Sequence, residues 1–364
     1  MPPNSNELEL SLFGPGVGEC AVLHLGDGCW MVVDSCLSES GDTPIALDYL
    51  RSLGVDTESQ VRLIVISHWH DDHIKGMGRM VRACPNADVA CSAAMACEEF
   101  FRLVASGNSI PVTVASSGID EFSKVLEALR ARPKARKNAG FSHWAQEGSR
   151  IYTSSNPCTV EVHALSPSAQ AVTDSKHALA QLMPQVGKRL NRYHSVAPNS
   201  SSVVLQVKTP AVSILLGGDL ETGDDSSRGW HAVVSSRVRP AEKSLAYKTA
   251  HHGSDNADHP GIWTELLLSG PIALLTPYAR GPKPRPSSTD VARLKGRASH
   301  VYCTVVPPVK SPPKRDSTVE RTMKEVVKSR MAIERRPGHI RMRVHVDGAD
   351  HGYSLALARG AREL

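Results

Sequence analysis

The stretch that decides the fold of this chain reads Ser67-His68-Trp69-His70-Asp71-Asp72-His73-Ile74. It follows the apolar run 61–66, which predicts a buried strand, and residues 74–81 predict the start of a helix. Three imidazoles and their neighbouring carboxylates are therefore concentrated where a buried strand ends and a helix begins. Because imidazole and carboxylate groups are common protein ligands of transition-metal ions, the stretch predicts a metal site.

The spacing of these side chains predicts two metal ions. In an extended segment, residues two apart point to the same side, so His68 and His70 can bind one metal together. Asp72 and His73 lie past the bend into the helix and point elsewhere. They suit a second metal about 3.5–4 Å from the first.

Length and composition are those of a globular protein. The 364 residues are 41% hydrophobic and 22% charged, which suits one large α/β domain with an additional segment. The sequence contains no apolar run of the roughly 18–20 residues that span a bilayer, and its start lacks the pattern of a secretory signal. The eight cysteines show no CxxC pair. We expect reduced thiols, a cytoplasmic location and no membrane partner.

Positive charge is concentrated towards the C-terminus. The formal net charge is +5, and residues 280–343 contain seventeen Lys and Arg against five Asp and Glu. Smaller basic clusters lie at 130–137 and 188–192. Such segments suit a polyanionic partner. The charge alone is equally compatible with an ordinary solvated surface.

Strand and helix patterns alternate along most of the chain. Predicted strands cover 7–13, 21–25, 30–33, 61–66, 87–90, 111–115, 151–165, 202–207, 212–216, 245–249, 272–275 and 301–305. Predicted helices cover 44–53, 74–81, 93–105, 119–132, 226–235, 263–268 and 291–295. Several of the strands end at a polar residue that can bind metal: Asp34, Asp219 and the pair His251–His252.

These residues and their neighbours resemble the metallo-β-lactamase superfamily over roughly residues 7–305. A narrower resemblance, to the hydrolase domain of ComEC-type DNA-uptake proteins and its stand-alone relatives, depends on three segments. They read Asn199-Ser200-Ser201-Ser202-Val203-Val204, Leu216-Gly217-Gly218-Asp219-Leu220-Glu221 and His251-His252-Gly253-Ser254. The resemblance implies an α/β protein with the αββα sandwich of the metallo-β-lactamase fold.

We expect two parts in the chain. Residues 1–306 form the hydrolase domain, in which the weakly patterned segment 166–198 could cover the site as a lid. Residues 307–364 form a small basic C-terminal appendage. It starts with a proline-rich linker, continues with a basic helix at 319–332 and ends in a hairpin of residues 340–346 and 353–358. This extension could also contact a protein partner.

The resemblance implies a role for each site residue. The first metal would be bound by His68 and His70. The second would be bound by Asp72, His73 and one histidine of the 251–252 pair, with Asp219 bridging both ions. We prefer His251 as the ligand, with His252 contacting a ligand from outside or donating a proton. Asp72 and His252 are the predicted catalytic residues. The sequence leaves open which of the two histidines binds the metal. Asp34 would orient a ligand histidine through its free ring nitrogen.

Asn199 stands where many superfamily members have a third histidine for the first metal. An amide oxygen is a weaker and harder ligand than imidazole, so this site would bind metal loosely or favour Mn²⁺ over Zn²⁺. His163 and His194 are alternative ligands from elsewhere in the chain.

The predicted metals imply hydrolysis. A water that bridges two Zn²⁺ or Mn²⁺ ions loses its proton near neutral pH and attacks phosphorus or a carbonyl carbon. The resemblance implies a phosphodiesterase or nuclease acting on DNA or RNA, with the basic segments contacting phosphates. Two alternatives stay open, namely hydrolysis of a small phosphorylated or ester metabolite and a non-catalytic interaction protein on the same scaffold.

Overall fold

The computed structural model describes residues 1–14, 18–106, 116–133, 140–155, 159–181, 198–279, 283–307, 337–346 and 352–364. The predicted strand 111–115, the basic helix 319–332, the cluster 188–192 and most of the proline-rich linker lie outside these residues. Of the described helices, none is long and apolar enough to cross a membrane. The seven cysteines in the described ranges have free thiols.

Sixteen strands are present in the described ranges. In chain order they are β1 (Glu7–Gly14), β2 (Cys20–Leu25), β3 (Trp30–Val33), β4 (Val61–Ile66), β5 (Asp88–Ser92), β6 (His143–Ala145), β7 (Ser149–Ser154), β8 (Val160–Ala164), β9 (Leu205–Lys208), β10 (Ser213–Leu216), β11 (Ser244–Lys248), β12 (Leu267–Leu275), β13 (His300–Cys303), β14 (Gly338–His345), β15 (Tyr353–Ala358) and β16 (Arg362–Glu363). They form two eight-stranded sheets, β15-β14-β1-β2-β3-β4-β5-β6 and β16-β13-β12-β11-β10-β9-β8-β7.

Helices cover the outer face of each sheet. They are α1 (Ile45–Ser52), α2 (Thr57–Gln60), α3 (Asp71–Ile74), α4 (Met77–Ala83), α5 (Glu98–Ser106), α6 (Ser116–Arg130), α7 (Ala169–Gln181), α8 (Gly229–Ser235) and α9 (Ser288–Lys295). One apolar core lies between the sheets, with Leu10 and Leu23 from the first and Val162 and Ile214 from the second. Separate cores lie under the helices of each outer layer. The predicted αββα sandwich is confirmed.

The described C-terminal residues add strands to both sheets. β14 pairs antiparallel with β1 along its whole length and β15 pairs with β14, so the predicted terminal hairpin is present. β16 pairs with β13 of the second sheet. At Gly338 a Cβ atom would lie 1.5 Å from the carbonyl oxygen of Thr304, so only glycine allows the backbones to approach this closely. The domain boundary at residue 306 stays a prediction.

Two segments differ from their predicted secondary structure. The predicted helix 263–268 is a single π-helical turn at Ile262–Leu266, and β12 already starts at Leu267. Part of the predicted lid segment forms α7, whose buried side chains include Val172 and Leu179. The first difference involves a short apolar pattern, for which periodicity does not separate helix from strand. The role of the segment 166–198 as a lid stays a prediction.

Candidate metal centre

The predicted site residues follow the carboxyl ends of parallel strands. Asp34 follows β3 and the stretch 67–73 follows β4, which pair in parallel in the first sheet. In the second sheet, Asp219 follows β10 and the pair His251–His252 follows β11, and these strands are also parallel. Since side chains beyond the carboxyl ends of neighbouring parallel strands converge, the two sheets bring their polar residues to one place.

Unusual backbone conformations determine the direction in which several of these side chains point. Asp34, His251 and His252 have positive φ angles of 59°, 48° and 56°, and left-handed conformations cost non-glycine residues about 1–3 kcal/mol each. Gly218 also has a positive φ, of 51°, and a Cβ atom there would lie 2.6 Å from Ser202 Oγ. The chain therefore holds Asp219 and both histidines at turns that local preference does not favour.

Four side chains place a nitrogen or oxygen atom around one point. His73 Nε2 lies 3.6 Å from Asp72 Oδ2 and 3.3 Å from Asp219 Oδ1. His252 Nε2 lies 3.1 Å from Asp72 Oδ2 and 3.7 Å from Asp219 Oδ2. A tetrahedral ion with ligands at about 2.0–2.2 Å separates them by about 3.3–3.6 Å. The spacing therefore fits a divalent metal ion.

Hydrogen bonds leave the Nε2 lone pairs of three histidines available for metal. His73 Nδ1 donates to Asp34 Oδ2 at 2.8 Å, and His252 Nδ1 donates to the Thr276 carbonyl at 3.0 Å. Ser67 Oγ donates its own hydrogen bond to Asp34 Oδ2. His68 Nδ1 is therefore the donor in the hydrogen bond of 2.9 Å between His68 Nδ1 and Ser67 Oγ. These contacts set the neutral tautomer that a metal requires. Asp34 thus contacts the ring nitrogen of His73 that faces away from the proposed metal, and its role in orienting a ligand stays a prediction.

A second group of donors lies beside the first. The His68 ring centroid is 4.9 Å from that of His70 and 4.3 Å from that of His73. Within the described part of the chain, His68 Nε2, Asp219 Oδ1 and Asn199 Oδ1 are buried without a hydrogen-bond partner. Buried polar atoms are normally satisfied, so these orphaned atoms also fit a bound ion. The composition of both metal sites stays a prediction.

His251 and His252 have different surroundings. The Nε2 atom of His251 accepts a hydrogen bond from Asn199 Nδ2 at 3.3 Å and another from Arg285 Nη1, while its Nδ1 lies 3.6 Å from Glu221 Oε1. The lone pair of His251 is therefore in use, whereas that of His252 faces two carboxylates. The geometry favours His252 as the ligand of the second metal, and the order of the two histidines in the sequence could not show this.

Two buried charged residues at the site were missed by the sequence analysis. Glu19 lies 3.7 Å from His73 Nδ1 and from His252 Nδ1, accepts a hydrogen bond from Thr276 Oγ1 and forms an ion pair with Lys248 Nζ. Glu19, His73, His252 and Asp219 each place one ligand-type atom within 4.8 Å of the others. Glu19 is paired with Lys248 and faces the Nδ1 side of both rings, whereas Asp72 faces their Nε2 side. A lysine at the end of the strand β11, directly after Leu245, Ala246 and Tyr247, is the only signal in the sequence.

The side chains of the centre have an excess of negative charge. Glu19, Asp34, Asp72 and Asp219 are buried carboxylates, and Lys248 is a buried ammonium group beside them. Burial by itself would raise the pKa of Asp72, but the rings of His73 and His252 hold this pKa below its usual range. Burial opposes protonation of His73, yet Asp219 and Asp72 raise its pKa. A divalent cation would neutralise this surplus.

Other candidate residues lie elsewhere. His163 on β8 contacts Glu161 Oε2 at 3.2 Å, and in the described part of the chain no contact joins it to the metal-binding donors. His194 lies outside the described residues. The geometry therefore gives no support to His163, and His194 stays a prediction.

The chain is similar to known proteins in part of its sequence and in its fold. Residues 13–96, which include the histidine stretch, match the family model described as Metallo-beta-lactamase superfamily. The search of curated proteins returned no match. Among solved structures, the MIM-2 metallo-beta-lactamase is 16% identical over 57% of this chain and 57% of its own, with a TM-score of 0.31. The chain thus spans little more than half the length of that protein.

Two further solved structures are similar to the chain. The metallo-beta-lactamase with the HARLDQ motif from Cronobacter sakazakii is 14% identical, over 65% of this chain and 76% of its own, with a TM-score of 0.34. The metallo-beta-lactamase fold protein YhfI from Bacillus subtilis is 11% identical, over 67% of this chain and 70% of its own, with a TM-score of 0.34. The family-model match over residues 13–96, together with the αββα architecture, supports membership of the metallo-β-lactamase superfamily.

Proposed function

We propose that this protein is a phosphodiesterase or nuclease that uses two divalent metal ions. The observation that carries the proposal is the position of Asp219. Its carboxylate faces His73 Nε2 and His252 Nε2, the donors for the second metal, and also interacts electrostatically with His68 and His70, the donors for the first. A carboxylate between two donor groups suits a dinuclear centre. The phosphodiester substrate is supported by the three sequence segments that resemble ComEC-type hydrolases, since each contributes a residue to this centre.

The residues around the centre hold its histidine rings in the orientation that metal-dependent hydrolysis requires. Bound divalent ions supply Lewis acidity and generate a nucleophile from water at neutral pH. Asp34 holds the His73 ring, and the Thr276 carbonyl holds the His252 ring, so neither histidine has to reorient when metal binds. The ring of Tyr278 stacks on that of His252 at 5.1 Å and covers its outer face.

The assignment of His252 changes its proposed role. A histidine whose Nε2 lone pair binds metal cannot donate a proton to a leaving group from that atom. Asp72, 3.1 Å from His252, would bind the same ion. We therefore propose both residues as ligands of the second metal, and His252 is no longer our candidate for proton donor.

Nicking of supercoiled plasmid tests the proposed function. We expect protein loaded with Zn²⁺ or Mn²⁺ to nick plasmid DNA, chelator to stop the reaction, and His68→Ala to lose it. His177→Ala is the matched control, because His177 lies on α7 in the described residues and makes no contact with the centre. Activity should fall steeply as salt rises, since each displaced phosphate contact releases counterions. A fully metal-loaded protein that leaves plasmid and RNA intact would contradict the proposal.

A small phosphorylated or ester metabolite is the second candidate substrate. The cavity above the centre has a volume of about 270 Å³, close to the lower limit of typical small-molecule sites. Turnover of a small phosphoester that does not change with salt, without nicking of plasmid, would favour this candidate. Contact of the C-terminal extension with a protein partner stays a proposal that neither assay addresses.

A further inference from the structure

The cavity above the metal centre has an uneven distribution of charge. Its lining includes the carboxylates of Asp71, Asp72 and Asp219. Among the described residues that line it, Arg285 has the only permanent positive charge. We infer that Arg285 is an anion-binding residue of this cavity and that it binds a non-bridging oxygen of the substrate's phosphoryl group. The inference rests on the proposed function and extends it by assigning a residue to substrate recognition.

Arg285 is anchored to the metal-binding loops. Its backbone N–H donates to the Tyr278 carbonyl at 2.9 Å, and its carbonyl accepts from the Tyr278 N–H at 2.8 Å. The Tyr278 ring in turn stacks on His252. One guanidinium nitrogen, Nη1, donates to His251 Nε2. The side chain thus lies beside the donors that would bind metal.

The charge of Arg285 is available to a ligand. Other arginines near this end of the sheet are paired with carboxylates, since Arg293 and Arg297 both contact Asp258. In the described ranges, no carboxylate forms an ion pair with Arg285, and the hydrogen bond to neutral His251 uses one of its five N–H donors. An arginine whose charge is not neutralised by the protein is suited to bind an anion.

Phosphoryl oxygens match this arrangement better than a neutral group does. The carboxylates on the cavity floor repel an anion unless positive charge offsets them on more than one side. With metal ions on the floor, one oxygen of a phosphodiester can face the ions while another meets the forked guanidinium. A substrate without a negative charge would leave Arg285 unused.

Binding of inorganic phosphate tests the inference without measuring activity. Isothermal titration would compare metal-loaded wild-type protein with Arg285→Gln, Arg285→Lys and Arg102→Gln. Arg102 lies on α5 and pairs with Glu98 at the surface, so it is a matched control. We expect Arg285→Gln to bind phosphate roughly tenfold to a hundredfold more weakly, because a hydrogen bond to a charged group is lost. Arg285→Lys should recover part of the affinity, and Arg102→Gln should bind like the wild type.

Metal content is measured on every variant in the same experiment. If Arg285→Gln binds phosphate as tightly as the wild type, the inference is wrong. If phosphate binding weakens only in proportion to lost metal, Arg285 acts on the centre through His251 and the inference is also wrong. Should phosphate binding depend on Arg285 while no variant nicks plasmid, the inference holds and the proposed nuclease function fails.

Discussion

Asp219→Asn is expected to reduce hydrolysis roughly a thousandfold or more and to lower the metal content of the protein. Asp219 faces the donors for the second metal, with Oδ1 3.3 Å from His73 Nε2 and Oδ2 3.7 Å from His252 Nε2. It also interacts electrostatically with His68 and His70, the donors for the first metal. Asparagine keeps the shape but replaces one oxygen by an N–H group that cannot bind a cation. Loss of a single electrostatic stabiliser already costs about 10²–10³ in rate, and this change weakens the contact to both ions.

The matched control for this prediction is Asp224→Asn. Asp224 is exposed and lies in the loop that follows Asp219, so the same chemical change should leave rate and metal content unaltered. Rates would be measured with plasmid DNA and with a small phosphodiester, and thermal unfolding would verify that both variants fold. Wild-type activity in a folded Asp219→Asn variant would show that this carboxylate is not part of the catalytic centre.

Lys248→Met is expected to lower the free energy of unfolding by about 3–5 kcal/mol, the usual cost of removing one partner from a buried ion pair. Lys248 Nζ pairs with Glu19 and donates to the Gly218 carbonyl at 3.0 Å, and both charged side chains are buried. Burial alone would lower the pKa of Lys248, but the Glu19 carboxylate raises it, so the ammonium group stays charged at neutral pH. Its removal leaves Glu19 buried without a counterion.

A second variant separates the effect of the ion pair on stability from the effect of side-chain packing. Glu19→Gln combined with Lys248→Met removes both charges, and we expect it to recover part of the lost stability in denaturant unfolding. Lys295→Met, an exposed lysine at the end of α9, should change stability by no more than about 0.5 kcal/mol. If the single Lys248→Met variant is as stable as the wild type, the pair does not support the centre.

Local sequence was sufficient to predict the fold and which polar residues follow the ends of its strands. The apolar strand β4, the histidine stretch after it and the helix that follows are contiguous, so their order determines where His68 and His73 lie. Asp34 and Asp219 each follow a predicted strand, and parallel strands bring such residues together. These predictions required only that the end of each strand be located in the sequence.

Features that depend on contacts between distant segments could not be predicted. Glu19 meets Lys248 across the two sheets, and no local pattern links the two residues. The strand β14 shows clear alternation in sequence, but its partner β1 lies at the other end of the chain. Consecutive left-handed residues abolish the alternation of side chains at His251 and His252. Which of them faces the carboxylates was therefore open until the backbone was known.

The number of metal ions per chain tests the central claim most directly. Protein purified without chelator would be analysed by inductively coupled plasma mass spectrometry, beside the variants His252→Ala and His251→Ala. We expect two divalent ions per chain in the wild type and in His251→Ala, and one in His252→Ala. A wild-type protein that binds no metal after incubation with Zn²⁺ or Mn²⁺, or a His252→Ala variant that keeps both ions, would contradict this account of the centre.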